Sequence, residues 1–286
     1  MKRADRIKIN FIRNWDLPGK ERLAHLLKPS AGFKTNFKDG IVWLRHEDIA
    51  IHTSADNYIE HMVLTTGTYE DEINKLIRVS LKPGFAALDI GANIGLQSIR
   101  MSQSCGADGK VYSFEPLQHI HQKFSRNIAL NNCQNIQLFP FALSDSDGET
   151  TVNIDEQTWN QGAFSLNQES NGKSQQTITI KAGDTLSEIA ALQRLDLIKI
   201  DVEGYEFQVL RGLKDTLRKH RPRIIFEYDD NYWQRTGQQM ADCYPFLIET
   251  GYTLYQITQV GCELISNAAD AIGGNIFCIP LTINNG

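Results

Sequence analysis

Four apolar runs in this 286-residue chain end on acids or glycines, and these ends carry the residues best able to bind a ligand or move a proton. The first is LDIGANIG, residues 88–95. Gly91 and Gly95 allow a sharp turn and a close backbone approach to a ligand, and the helix that follows offers free amides. The spacing is not GxGxxG, and Asp89 stands before the first glycine, where a carboxylate would repel a pyrophosphate. Such a turn suits a cationic ligand rich in hydroxyl and amino donors. The second end is VYSFEP, where Glu115 is placed to accept both hydroxyls of a ribose diol. The third is FALSD, where the backbone of Phe141, Ala142 and Leu143 is placed to flank a planar base; a plain loop with Asp145 starting a turn accounts for it equally.

The fourth end is LIKIDVEG. Strand alternation puts Lys199, Asp201 and Glu203 on one side if the strand stays regular that far. Either acid is a candidate general base for a hydroxyl; Glu203 is preferred, because Asp201 is then free to orient a ligand or Lys199. The competing reading makes Asp201 a helix N-cap with Glu203 in the first turn, where the dipole favours it. Downstream, Glu227, Asp229, Asp230 and Asn231 offer oxygen ligands that could join Asp201 around magnesium, but a solvated acidic turn explains them as well, and no metal site is assigned. His119 and His121 fall in a helix away from the strand ends, which indicates surface or packing roles. Tyr232 and Trp233 are an aromatic wall or ordinary core.

These residues need a scaffold, and the sequence supplies a rhythm. YEDEINKLIRVSL has helical spacing, closed by Pro83 and Gly84; FAALDI is a strand and NIGLQSIRMSQ a helix. VYSFEP, HIHQKFSRNIALNN and NIQLFPFAL repeat strand, helix and strand, and LDLIKIDVEG, FQVLRGLKDTLRKH and PRIIFEY do so again. The alternation predicts a doubly wound α/β fold with a mostly parallel sheet. YTLYQIT and NIFCIP, joined by a short connection around Gly261, predict an antiparallel hairpin at its edge. Residues 1–68 read as an N-terminal accessory segment, with a turn-rich stretch from 29 to 40 and paired short strands in IVWLRHEDIAIHT. The catalytic domain then spans 69–286. Within it, residues 145–195 break the rhythm as an insertion, with TTVNI and QTITIKA as edge strands around a loop from 156 to 174, where substrate contacts are expected.

Composition narrows the partners. Lys and Arg total 29 against 34 Asp and Glu, a net charge of −5, which disfavours nucleic acid and gives no hint of a membrane surface. Five scattered cysteines form no CxxC pair and read as reduced thiols. Charges interrupt every apolar stretch of the N-terminus, so the expected location is cytoplasmic.

LDIGANIG, VYSFEP, the NIALNN helix end, FALSDSDG and above all LIKIDVEGYEFQVLRG resemble the FkbM family of S-adenosylmethionine-dependent methyltransferases, over roughly residues 69–228 and in the family's order. S-adenosylmethionine, with its sulfonium, ammonium and ribose diol, is the kind of ligand the acids ask for. The resemblance implies a class I methyltransferase, Rossmann-like fold with a seven-stranded sheet. It implies cofactor contacts from Asp89, Gly91, Asn93, Gly95 and Glu115, with Glu70 near the amino acid end; the strand ends themselves add Pro116, Ala142 and Asp201 as expected cofactor contacts. It places Asp201 and Glu203 at the active site. The expected reaction is O-methylation of a small-molecule acceptor, a sugar or polyketide-type natural product; N-methylation of a small amine and a non-catalytic cofactor-binding protein are the alternatives. The first 68 residues and the insertion match less clearly, which leaves the acceptor open.

Overall fold

The computed structural model describes residues 3–14, 40–53, 58–154 and 174–281. Its centre is an eight-stranded sheet in the order β5-β4-β3-β9-β10-β13-β11-β12. The five strands β3 (Ala86–Ile90), β4 (Lys110–Phe114), β5 (Ile136–Phe139), β9 (Leu197–Ile200) and β10 (Arg223–Tyr228) run parallel. They bury both faces, as near-continuous apolar runs should. Alternate residues Ala87, Val111, Leu197 and Ile225 pack with Ile73 and Ile77 of α3 (Asp71–Ser80) and Met101 and Cys105 of α4 (Leu96–Cys105). Leu88, Ile198, Ile200 and Phe226 face the other way. They pack with Val209 of α7 (Glu206–Gly212), Leu217 of α8 (Lys214–His220) and Leu247 of α10 (Met240–Glu249). The result is a three-layered sandwich with strand order diverging between β3 and β9, where ligands bind in open α/β sheets.

The edge differs from the expected seven strands and simple hairpin. β11 (Tyr252–Thr258) does lie antiparallel to β13 (Gly274–Pro280), but residues 261–265 form an additional strand, β12 (Gly261–Ile265), which pairs back onto β11 across a two-residue turn. β13 then inserts between β10 and β11. Gly261 reads as a turn residue, yet it pairs with Thr258 as the first residue of an exposed edge strand whose sequence carries little period-two signal.

The third expected strand also divides. Pro140 separates β5 from β6 (Ala142–Ser144), because proline cannot donate to the ladder. β6 leaves the main sheet to pair with β8 (Ser174–Ala182), which pairs with β7 (Gly148–Ile154). The insertion thus supplies β7 and β8 of a three-stranded sheet and the short helix α6 (Ser187–Ala190), and the loop between β7 and β8 lies outside the described residues, as does all but Gly40 of the turn-rich stretch from 29 to 40. The helix expected over FQVLRGLKDTLRKH breaks at Leu213, where a side chain at Gly212 would meet the Ser144 carbonyl at 1.9 Å.

The described part of residues 1–68 comprises α1 (Arg3–Arg13), the β1–β2 pair (Gly40–Trp43 and Ala50–Thr53) and α2 (Tyr58–Thr66). Leu44, Ile49, Ile51 and Val63 share a buried cluster with Ile94 and Ile99, with Ile120 of α5 (Gln118–Leu130), and with Val152 and Ile178 of the insertion. Asn127 on α5 and Asn131 at its C-cap lock this contact: the His52 amide donates to the Asn127 side-chain oxygen and the Ala50 amide to that of Asn131, which returns a bond to the Ala50 carbonyl. Among the described residues no helix is long and apolar enough to cross a membrane.

Candidate active site

The carboxyl ends of β3, β4, β9 and β10 open into a cavity of about 400 Å³. Its wall includes Glu70, Gly91, Asn93, Glu115, Pro116, Ala142, Asp201 and Glu203. These eight come from five separate stretches of chain, brought together because parallel strands deliver their ends to one side. Asp89 and Gly95 are not in the lining. Asp89 is fully buried in β3, where it accepts from the Ser98 hydroxyl at 2.5 Å and sits opposite Lys199 in the ladder. Gly95 has φ +87°, and a side chain there would strike the Phe124 ring at 2.0 Å, so it is required for helix packing. Gly91, at φ +79°, does face the cavity; a Cβ would fall 1.8 Å from the Asp201 carbonyl.

At one end, Glu115 is set by backbone amides. Asn93 donates to Oε2 at 3.0 Å and Leu117 to Oε1 at 2.8 Å. Burial pushes its carboxyl up to about 7 in spite of these two donors. The insertion closes this end: Gln176 donates to the Pro116 carbonyl at 2.9 Å and accepts from the Gln118 amide, and Thr150, Ile178 and Ile180 complete the wall.

The floor holds a buried charge network. Lys199 is 3% exposed and donates to Asp201 Oδ2 at 2.9 Å. Burial disfavours its charge, but Asp201, Glu70 and Asp89 outweigh that and hold the ammonium above its ordinary range. Glu70, raised by burial, accepts from Gln97 at 2.7 Å. Arg100 donates to the Tyr69 carbonyl at 2.7 Å and pairs with Glu47 at 2.6 Å, both partners almost fully buried.

At the other end the alternation anticipated for Lys199, Asp201 and Glu203 does not continue. β9 stops at Ile200, and Glu203 adopts φ +55° in a turn. Glu206 fixes that turn, accepting from the Val202 amide at 2.9 Å, the Gly204 amide at 3.1 Å and the Trp233 indole at 2.7 Å. Asp201 is no helix cap; Tyr205 occupies that position before α7. Burial, then Asp201 and Glu206, lift Glu203 to about 8, while a bond from Tyr232 opposes the shift. Glu227 is lifted to about 9 by Asp201 first and burial second. Among the described non-glycine residues six have positive φ, and three of them, Glu70, Asn93 and Glu203, face this cavity, where strain commonly collects at working sites.

The acidic turn after β10 splits by role. Glu227 and Asp229 reach the cavity, while Asp229 also caps α9 (Asp230–Arg235) by accepting from the Asn231 and Tyr232 amides. Asp230 bonds Tyr228 and Gln234, away from the lining. Among the described residues no three His, Cys, Asp or Glu side chains are arranged to hold a metal ion. Tyr232 lines the cavity; Trp233 is core, stacked on Phe226. His119 and His121 lie on α5 outside the lining. The sequence reading missed Glu206, whose signal was an acid four residues after Val202 and two after Gly204, and the aromatic lining from Tyr58, Tyr69 and Tyr205.

Comparison with known proteins agrees with these motifs. The family described as "Methyltransferase FkbM domain" matches residues 89–254. "Methyltransferase 1" of Beauveria bassiana is 28% identical over 145 residues, covering 45% of this chain and 58% of that one. The "2-O-methyltransferase NoeI" of Sinorhizobium fredii is 29% identical over 171 residues, 54% of this chain and 68% of that one. The "Hexuronic acid methyltransferase AglP" of Haloferax volcanii is 26% identical over 149 residues, 52% and 58% respectively. The match therefore spans less than two thirds of the Beauveria and Haloferax proteins. With the family's motifs at the strand ends and its match extending over more than half of the residues, the chain belongs to the FkbM family of methyltransferases.

Proposed function

We propose that this protein transfers a methyl group from S-adenosylmethionine to a hydroxyl of a small molecule, with a sugar or polyketide-type natural product as acceptor. The observation that carries the reading is Glu115, a carboxylate held by two backbone amides yet facing the cavity, with Glu203 at the opposite end of the same space. The donor set fits the cofactor: each Glu115 oxygen keeps acceptor capacity for a ribose hydroxyl, and Glu70 and Asp201 offer negative charge to an ammonium and a sulfonium. Ala142 and Leu143, with Ile178 and Ile180, give apolar surface for a base. When bound, S-adenosylmethionine supplies a methyl carbon already activated by its sulfonium.

The chain then has two tasks, holding the hydroxyl in line and removing its proton. Glu203 is placed for the second: its oxygen accepts the hydroxyl proton, and its raised proton affinity makes it a stronger base than an exposed carboxylate. Lys199 is bonded to Asp201, which keeps that neighbour in a fixed orientation beside the base. Of the named relatives, the 2-O-methyltransferase supports transfer to a hydroxyl and the hexuronic acid methyltransferase supports a carbohydrate-like acceptor. Calorimetry of S-adenosylmethionine and its demethylated product tests the reading. The native chain should bind both, and Glu115→Ala should weaken binding by about 2–4 kcal/mol, the worth of one to two charge-assisted hydrogen bonds. Absence of binding by folded native protein would overturn it.

A further inference from the structure

The cavity's acceptor end has a one-sided electrostatic character. Glu203, Glu227 and Asp229 face it together with Tyr205 and Tyr232, and among the described residues that line the cavity none is Lys, Arg or His. Glu227 makes no hydrogen bond or ion pair to a described residue. The cations nearby are already engaged: Lys199 is buried against Asp201, and Arg235 lies over the Tyr232 ring at 5.5 Å without entering the lining. An acceptor carboxylate or phosphate would enter beside three acids with no counter-ion: it meets like charge, at a cost of several kcal/mol, once Glu203 and Glu227 ionise, and below about pH 8 it holds them protonated and so withholds the base.

Resting on the methyltransferase reading, we infer that this protein selects a non-anionic acceptor, a neutral polyhydroxyl compound or one bearing an amino group, with Glu227 as the specificity-determining residue. Glu227 is the penultimate residue of β10 and faces the cavity beside the base, so its free oxygens are available to an acceptor hydroxyl or ammonium next to the reacting position. A hexuronic acid, the acceptor class named for the Haloferax relative, is excluded by the same group.

The test compares three probes that differ at one substituent: methyl glucosaminide, methyl glucoside and methyl glucuronide. Their binding to the native protein saturated with S-adenosylhomocysteine is followed by ligand-observed NMR at about pH 9.5, where Glu203 and Glu227, lifted to about 8 and about 9, are ionised. The amino and neutral glycosides should bind at least about tenfold more tightly than the glucuronide, the least that a several-kcal/mol repulsion implies. In Glu227→Gln, with S-adenosylhomocysteine binding retained as proof of folding, the gap should narrow severalfold. Glucuronide binding equal to the others overturns the inference, and so does failure of all three to bind while S-adenosylhomocysteine does. Failure of S-adenosylhomocysteine itself to bind the native protein counts against the methyltransferase reading instead. The native comparison decides the matter even if the variant does not fold.

Discussion

Glu203 and Glu206 are two acids three residues apart in sequence whose surroundings give them separate work. Glu206 spends its oxygens on two backbone amides and an indole, so it cannot take a substrate proton without dismantling the turn. Glu203, held by that turn with a proton affinity near 8, is free to do so. Glu203→Gln should therefore lower kcat by about 10²–10⁴, the usual worth of a general base, with cofactor affinity little changed. The native rate should rise as pH increases through about 8, because only the ionised carboxylate accepts a proton, and the variant should lose that rise; a steady-state pH profile of both proteins checks it. Sequence made the acids at strand ends visible, since type and position alone mark Glu115, Asp201 and Glu203. It could not separate Gly91 from Gly95 or bring Asp89 out of the lining, because those distinctions depend on what packs behind each residue: an Asp201 carbonyl, a Phe124 ring, a Ser98 hydroxyl.

Elements carried by strong periodicity were readable in advance, and those fixed by partners were not. β3, β4, β9 and β10 announce themselves as apolar runs, and α3 by its helical spacing; β12 is an edge strand with four exposed residues, and β6 departs from β5 only because Pro140 ends one ladder and β8 offers another. Two elements lend themselves to test. Gly95→Ala places a methyl group on Phe124 in left-handed backbone, so urea unfolding should show a loss of about 1–3 kcal/mol. Gln176→Ala removes both bonds that tie β8 to the start of α5. It should raise KM for the cofactor while leaving kcat nearly intact, because it loosens a wall and touches no reacting atom.

Across the whole molecule, four acids gathered at the strand ends, two buried and two half-buried, carry a consequence for stability. Glu115, Glu203, Glu206 and Glu227 bind protons more tightly folded than unfolded, with values rising to between about 7 and 9. From the ordinary carboxylate range up to those values the folded state holds protons that the unfolded chain has released, so stability must fall as pH rises. Thermal unfolding of the cofactor-free protein should come several degrees lower at pH 9 than at pH 6, and S-adenosylmethionine, which brings positive charge, should recover more of the loss at pH 9. The order of strands carries a different consequence, for synthesis. β13 is made after β11 and β12, yet it lies between β10 and β11. A nascent chain that has reached residue 273 has every residue assigned here to chemistry, but its sheet is open along two ladders. The cofactor-side half can dock early, while β11 and β12 must stay apart from β10 until the strand between them leaves the ribosome. A chain arrested before β13 would present two unpaired strand edges, a state that chaperones and proteases distinguish from the finished enzyme.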